Sequence, residues 1–302
     1  MSSQESPSRR DDFIVLADVR RIEKSIEAET IRLDRDDGKS IEAWVERLRT
    51  DGSLLDYKSL ASPAPPGSGL QHDVYFLAVQ TEAQRKVFER LGSNLVCIDG
   101  THNTTMYENL ILTTLLVRDE WGHGFPVAWL LASSGTRCTL YYFLYLVRKR
   151  NPLVILRRIM TDRDLAQINA CSSCYPEAAI LLCWWHVLHA WQQHFHISDY
   201  PELWTMLKGW VRISDQQAFD LTWEKIKLLA PPSVLAYLET HWMTPFFLRM
   251  WSAVYRQGRN INEVSDTNML IEAYVHPFST LLNVNHYVIL MDTCTAQMAS
   301  RL

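Results

Sequence analysis

Two aspartates stand where apolar runs stop. Asp99 closes LVCID and is followed by Gly100 and a cluster of small polar residues; Asp162 closes VILRRIMTD. A carboxylate beside a buried strand is costly to leave unpaired. Asp164, just before a helical stretch, is the natural helix cap, which leaves Asp162 without a local role. Strand-end carboxylates on adjacent strands converge at one sheet edge, where open α/β folds place their sites. Two carboxylates ~4 Å apart repel by about 4 kcal/mol at an effective dielectric of 20. Either one takes up a proton or a cation lies between them. Mg²⁺ suits such oxygen ligands when the substrate carries phosphates. Paired ions of this kind serve in-line displacement at phosphorus.

The elements that must position these residues can be read from hydrophobic rhythm. LVCID, NLILTTLLVRD and GFPVAWLLASS are three β-rich runs separated by turn residues, which predicts antiparallel neighbours. Then LYYFLYLVRKR reads as a helix, VILRRIMTD as a strand, DLAQINACSSCYP as a helix and AAILLCWW as a strand. This order predicts a mixed α/β sheet with helices on its faces. From Val187 to about Arg256 the chain reads as helical and rich in tryptophan, with Trp204 to Trp251 forming a core of their own. Upstream, Ile41, Trp44, Val45 and Leu48 share a helical face and Gly52 follows. ASPAPPGSG reads as a linker, DVYFLAV as a strand, and TEAQRKVFERLG as a helix capped by Thr81 and stopped by Gly92. The expected organisation is a partly disordered helical and linker region at 1–70, a core at 71–186, a helical insertion at 187–256, and a return to the core at 257–302.

Composition narrows the class. The 302 residues are 47% hydrophobic, enough for a substantial core. The 30 basic and 34 acidic residues leave a net charge of −4, which neither announces nor excludes a nucleic-acid binder. Basic residues nevertheless gather at VRKR, LRR and Arg163. The polar start MSSQESPSRRDD is no signal peptide, and no apolar run approaches the ~20 residues of a membrane helix. The chain therefore reads as soluble and intracellular, and its six cysteines as thiols or metal ligands. Cys171, Cys174, Cys183 and His186 have the ligand types of a tetrahedral zinc site. However, residues three apart on a strand point to opposite faces, so zinc is not expected.

Taken in order, Asp99-Gly100-Thr101, NLILTTLLVRD, GHGFPVAWLL, MTDRDLAQINA, LLCWWH and TNMLIEAYVHPFSTLL resemble the catalytic domain of Mutator-like element (MULE) transposases. The resemblance spans roughly residues 73–290. It implies an RNase H-like mixed sheet with flanking helices and an all-helical insertion before the last catalytic helix. It also implies a DDE triad of Asp99, Asp162 and Glu272, with Glu263 the rival for the third position. These acids would hold Mg²⁺, with Mn²⁺ as substitute, and cleave and transfer strands at transposon ends in the nucleus. Cys183 and His186 fall on the family's Cys-x-x-His. These two, together with Arg163 and Asn268, are expected to contact DNA or to be structural. DNA, both transposon ends and target, is the implied partner, and assembly into a homo-oligomer is expected; no membrane partner is. Val275-His276-Pro277 departs from the family, which usually shows a basic residue there, and Pro277 should break the helix. The rival reading is a catalytically inactive, transposon-derived DNA- or protein-binding protein.

Overall fold

The computed structural model describes residues 19–22, 33–102, 109–119 and 124–256. The chain divides into two units, residues 1–51 with 286–302 and residues 52–285. The described part of the first unit includes helix α1, Asp37–Thr50. Asp36 caps it, its side chain accepting from Lys39 N at 2.9 Å, and Val45 and Leu48 are buried. Gly52 follows in the left-handed region at φ 75°, which glycine adopts without strain.

The second unit is built on a seven-stranded mixed sheet in the order β1-β2-β5-β4-β3-β6-β7. The strands are β1 Leu54–Lys58, β2 Phe76–Val79, β3 Val96–His102, β4 Ile111–Arg118, β5 Gly124–Ala132, β6 Arg158–Thr161 and β7 Ala179–Leu182. β3, β4 and β5 form the expected antiparallel set. β6 adds parallel to β3, and β7 parallel to β6. The helices on the sheet are α2 Glu82–Leu91, α3 Arg137–Arg150 and α4 Leu165–Cys174. This is an α/β sheet flanked by helices, compatible with an RNase H-like fold.

The expected boundary at residue 70 needs correction. Leu54–Lys58, placed at the end of a helical and linker region, is an edge strand antiparallel to β2. Lys58 holds it in place, because its buried ammonium donates to the carbonyls of Ser59, His72 and Val74 at 3.1, 2.6 and 2.8 Å.

Side-chain alternation divides β3 between two clusters. Val96 and Ile98 join a core with Phe88 of α2, Phe143 of α3 and Cys171 of α4. Cys97 points the other way, with Leu116, Met160 and Cys183. α2 begins with a capping box between Thr81 and Gln84. Gly92 ends it in ordinary helical φ; glycine is needed there because a Cβ would lie 2.6 Å from the Phe88 carbonyl.

Beyond the sheet the chain is helical: α5 Trp184–Gln192, α6 Pro201–Trp210, α7 Gln216–Leu229, α8 Pro232–His241 and α9 Pro245–Trp251, then a 3-10 turn Ala253–Arg256. These elements pack around Trp191, Trp210, Trp242 and Trp251, all fully buried. Trp191 meets the other three rings at centroid distances of 5.8, 5.7 and 5.2 Å. The tryptophans are thus the core of the helical part, as their spacing predicts. Among the described residues, no helix is long and apolar enough to cross a membrane.

Candidate active site

The sheet register sets the two aspartates. Val96 pairs with Ile159 and Cys97 with Met160 in the parallel β3–β6 ladder. The last pair of that ladder is Cys97 with Met160, so Asp99 and Asp162 each follow it by two residues along segments that run the same way. Asp99 does not end its strand, as expected from sequence: β3 continues to His102, paired with β4 throughout. β6 does stop at Thr161, so Asp162 is the first residue beyond it.

A turn holds Asp162. Its Oδ1 accepts from Asp164 N at 3.1 Å, and Asp164 caps α4 by accepting from Ala166 N at 2.8 Å. Asp164 is therefore the cap and Asp162 is left free of that task. Gln167 is buried on the first turn of α4; with its amide assigned so that the nitrogen faces acceptors, it donates to Asp162 Oδ1 at 3.2 Å and to the Ile98 carbonyl at 3.3 Å. It thereby links the carboxylate to the residue just before Asp99. Sequence reasoning missed Gln167; the available signal was an amide three residues past a cap, on a face otherwise apolar.

Opposite Asp162 stands His186. β7 ends at Leu182, and Cys183 occupies the cap position of α5, which carries His186 on its first turn. Burial raises the Asp162 pKa, opposed by the Asp164 backbone hydrogen bond and by His186. Burial lowers the His186 pKa, opposed by the Asp162 carboxylate. The neutral imidazole is favoured, and its buried Nδ1 has no hydrogen-bond partner among the described residues.

The remaining sequence candidates separate. Arg163 points into the helical part, stacked over Trp242 and Phe247 at 4.7 and 4.4 Å and donating to the His241 carbonyl at 3.1 Å. Cys183 packs beside Cys97, Leu116 and Met160, a core position. The four residues with zinc-ligand types are not brought together: Cys171 and Cys174 lie in the larger sheet core and Cys183 in the smaller cluster. Burial raises the thiol pKa of Cys174 to about 12. Among the described residues, no three His, Cys, Asp or Glu side chains are grouped to hold a metal ion. Glu272, its rival Glu263 and Asn268 lie outside the described residues.

Asp99 and Asp162 supply hard oxygen donors suited to a divalent cation, and the neutral imidazole beside them adds no competing charge. Such a centre acts on phosphate esters if a third carboxylate completes it. Among curated proteins, nothing matches the chain. Residues 95–190, which carry Asp99, Asp162, Cys183 and His186, match the MULE transposase domain.

Proposed function

We propose that the chain is a DDE-type transposase catalytic domain that cleaves DNA strands at transposon ends and joins them to target DNA. The observation that supports this reading is the parallel β3–β6 ladder, whose last pair lies two residues before both Asp99 and Asp162. The family match over residues 95–190 supports the same reading.

In this reading Asp99 and Asp162 hold Mg²⁺ or Mn²⁺, with Glu272 as the third ligand. The bound ions supply Lewis-acid charge to the reacting phosphodiester. The chain's own residues prepare the site. The turn at Asp164 and the amide of Gln167 orient the Asp162 carboxylate. Burial makes that carboxylate a poor lone anion and so favours a cation beside it. His186, held neutral, leaves the negative charge of Asp162 for the metal rather than forming an ion pair with it.

The test is strand joining by the full chain on pre-cleaved DNA ends. Joining that requires Mg²⁺ or Mn²⁺ and disappears in Asp99→Asn, Asp162→Asn and Glu272→Gln supports the proposal. DNA binding with no joining under either metal would assign the chain to the other class, an inactive descendant that binds DNA or protein.

A further inference from the structure

Adjacent tryptophans on α5 go opposite ways. Trp184 turns into the helical core: its indole donates to the Trp251 carbonyl at 2.6 Å, and the guanidiniums of Arg212 and Arg256 lie over its ring at 5.4 and 4.6 Å. Trp185 turns outward and is 38% exposed, the most exposed tryptophan among the described residues. Tryptophan is a costly residue to leave in water.

Its ring is nevertheless held in one orientation. It stacks on His189, one turn along, at 4.9 Å between centroids and 5° between planes. The Gln193 amide lies 3.4 Å from His189 Nε2 and steadies the supporting ring. His186, edge-on at 4.9 Å and 84°, ties the indole to the residue that faces Asp162. A rigid, exposed aromatic surface therefore begins one residue from the candidate active site.

We propose that Trp185, backed by His189, is a stacking platform for an unpaired nucleobase of the DNA substrate, next to the phosphodiester that reacts. This rests on the reading of the chain as an enzyme acting on DNA. An indole is suited to the task because every base has a π face and the contact requires no particular sequence. Two χ angles, already restrained by His189 and His186, leave little conformational entropy to lose on binding. The platform would favour DNA whose end is melted or carries a few unpaired nucleotides over a flush duplex.

The test compares two duplexes bound to the full chain without divalent metal. One is blunt; the other carries two unpaired 3′ nucleotides, the last being 2-aminopurine. The expected result is tighter binding of the second duplex and quenching of the 2-aminopurine. Trp185→Ala should reduce affinity for that duplex about 5- to 150-fold, the range of one stacked base, and abolish the quench. Affinity for the blunt duplex and the thermal midpoint should stay as in the wild type, and Trp185→Phe should keep part of the quench. Equal binding of both duplexes by the wild type, or an unchanged quench in Trp185→Ala, overturns the proposal. The readout is separable from catalysis. Asp99→Asn should lose joining and keep the quench. A wild type that quenches through Trp185 but joins nothing would refute the catalytic reading and leave the platform standing.

Discussion

His186 and Asp162 each oppose what burial does to the other. The imidazole draws the carboxyl pKa back down and the carboxylate draws the imidazole pKa back up, yet desolvation is the larger influence on both. Burial thus disfavours the charged form of each.

One consequence concerns Asp162. Its folded pKa lies above the unfolded value near 3.9. Between the two, the native state binds more protons, so this group's contribution to stability falls as pH rises through the folded pKa. Asp162→Asn should remove that decline and raise the melting temperature of metal-free protein at pH 7. Thermal unfolding followed against pH, with chelator present, checks it; a lower melting temperature in the variant would contradict it.

His186 has the opposite sign. Its folded pKa lies below 6.5, so between those values the unfolded chain binds more protons and stability is lost as pH falls through 6.5. His186→Gln should flatten the pH dependence of unfolding in that window. Parallel curves for variant and wild type would show that the imidazole is not buried in solution.

Gln167 orients a proposed metal ligand without being one. Gln167→Leu should leave the fold intact and lower metal-dependent joining about 10- to 100-fold, the usual cost of losing such support. Raising the metal concentration should recover part of the loss. An unchanged metal requirement would argue that Asp162 is held adequately by the Asp164 turn alone.

Lys58 is a structural cation. Lys58→Met keeps the stem but leaves the carbonyls of His72 and Val74 without their donor. A loss of about 3 kcal/mol is expected, since each buried acceptor left unpaired costs about 1–3 kcal/mol. Urea unfolding measures it, and a neutral result would mean that water enters behind β1.

Trp191 meets three other buried indoles. Trp191→Ala should destabilise the helical part by about 3–5 kcal/mol, as truncation of a large core side chain does. Amide exchange in α5, α6 and α9 should accelerate before exchange in β3 and β4. Uniform acceleration would show instead that the sheet and the helical part unfold together.

Much of this was legible locally. Alternation and turn residues marked β3, β4 and β5, and a threonine three residues before a glutamine marked the start of α2. Asp164 read as a cap because an acid preceding a helical run has that use, which singled out Asp162. The aromatic periodicity after Val187 marked a helical core. Strand ends were less legible: β3 outruns Asp99 because β4 keeps pairing with it to His102, and pairing is settled by the partner strand.

Sequence by itself determined which residues are apolar, where helices begin and that Asp164 caps α4, because these depend on neighbours a few residues away. Tertiary structure decided the rest. The parallel ladder that pairs Val96 with Ile159 joins segments far apart along the chain, and no local propensity specifies it. The same long-range pairing recruited Leu54–Lys58 as an edge strand, divided the cysteines between two cores and turned Arg163 onto Trp242. Such contacts are chosen by how whole elements bury their apolar faces together, a property of the folded chain and not of any short stretch of it.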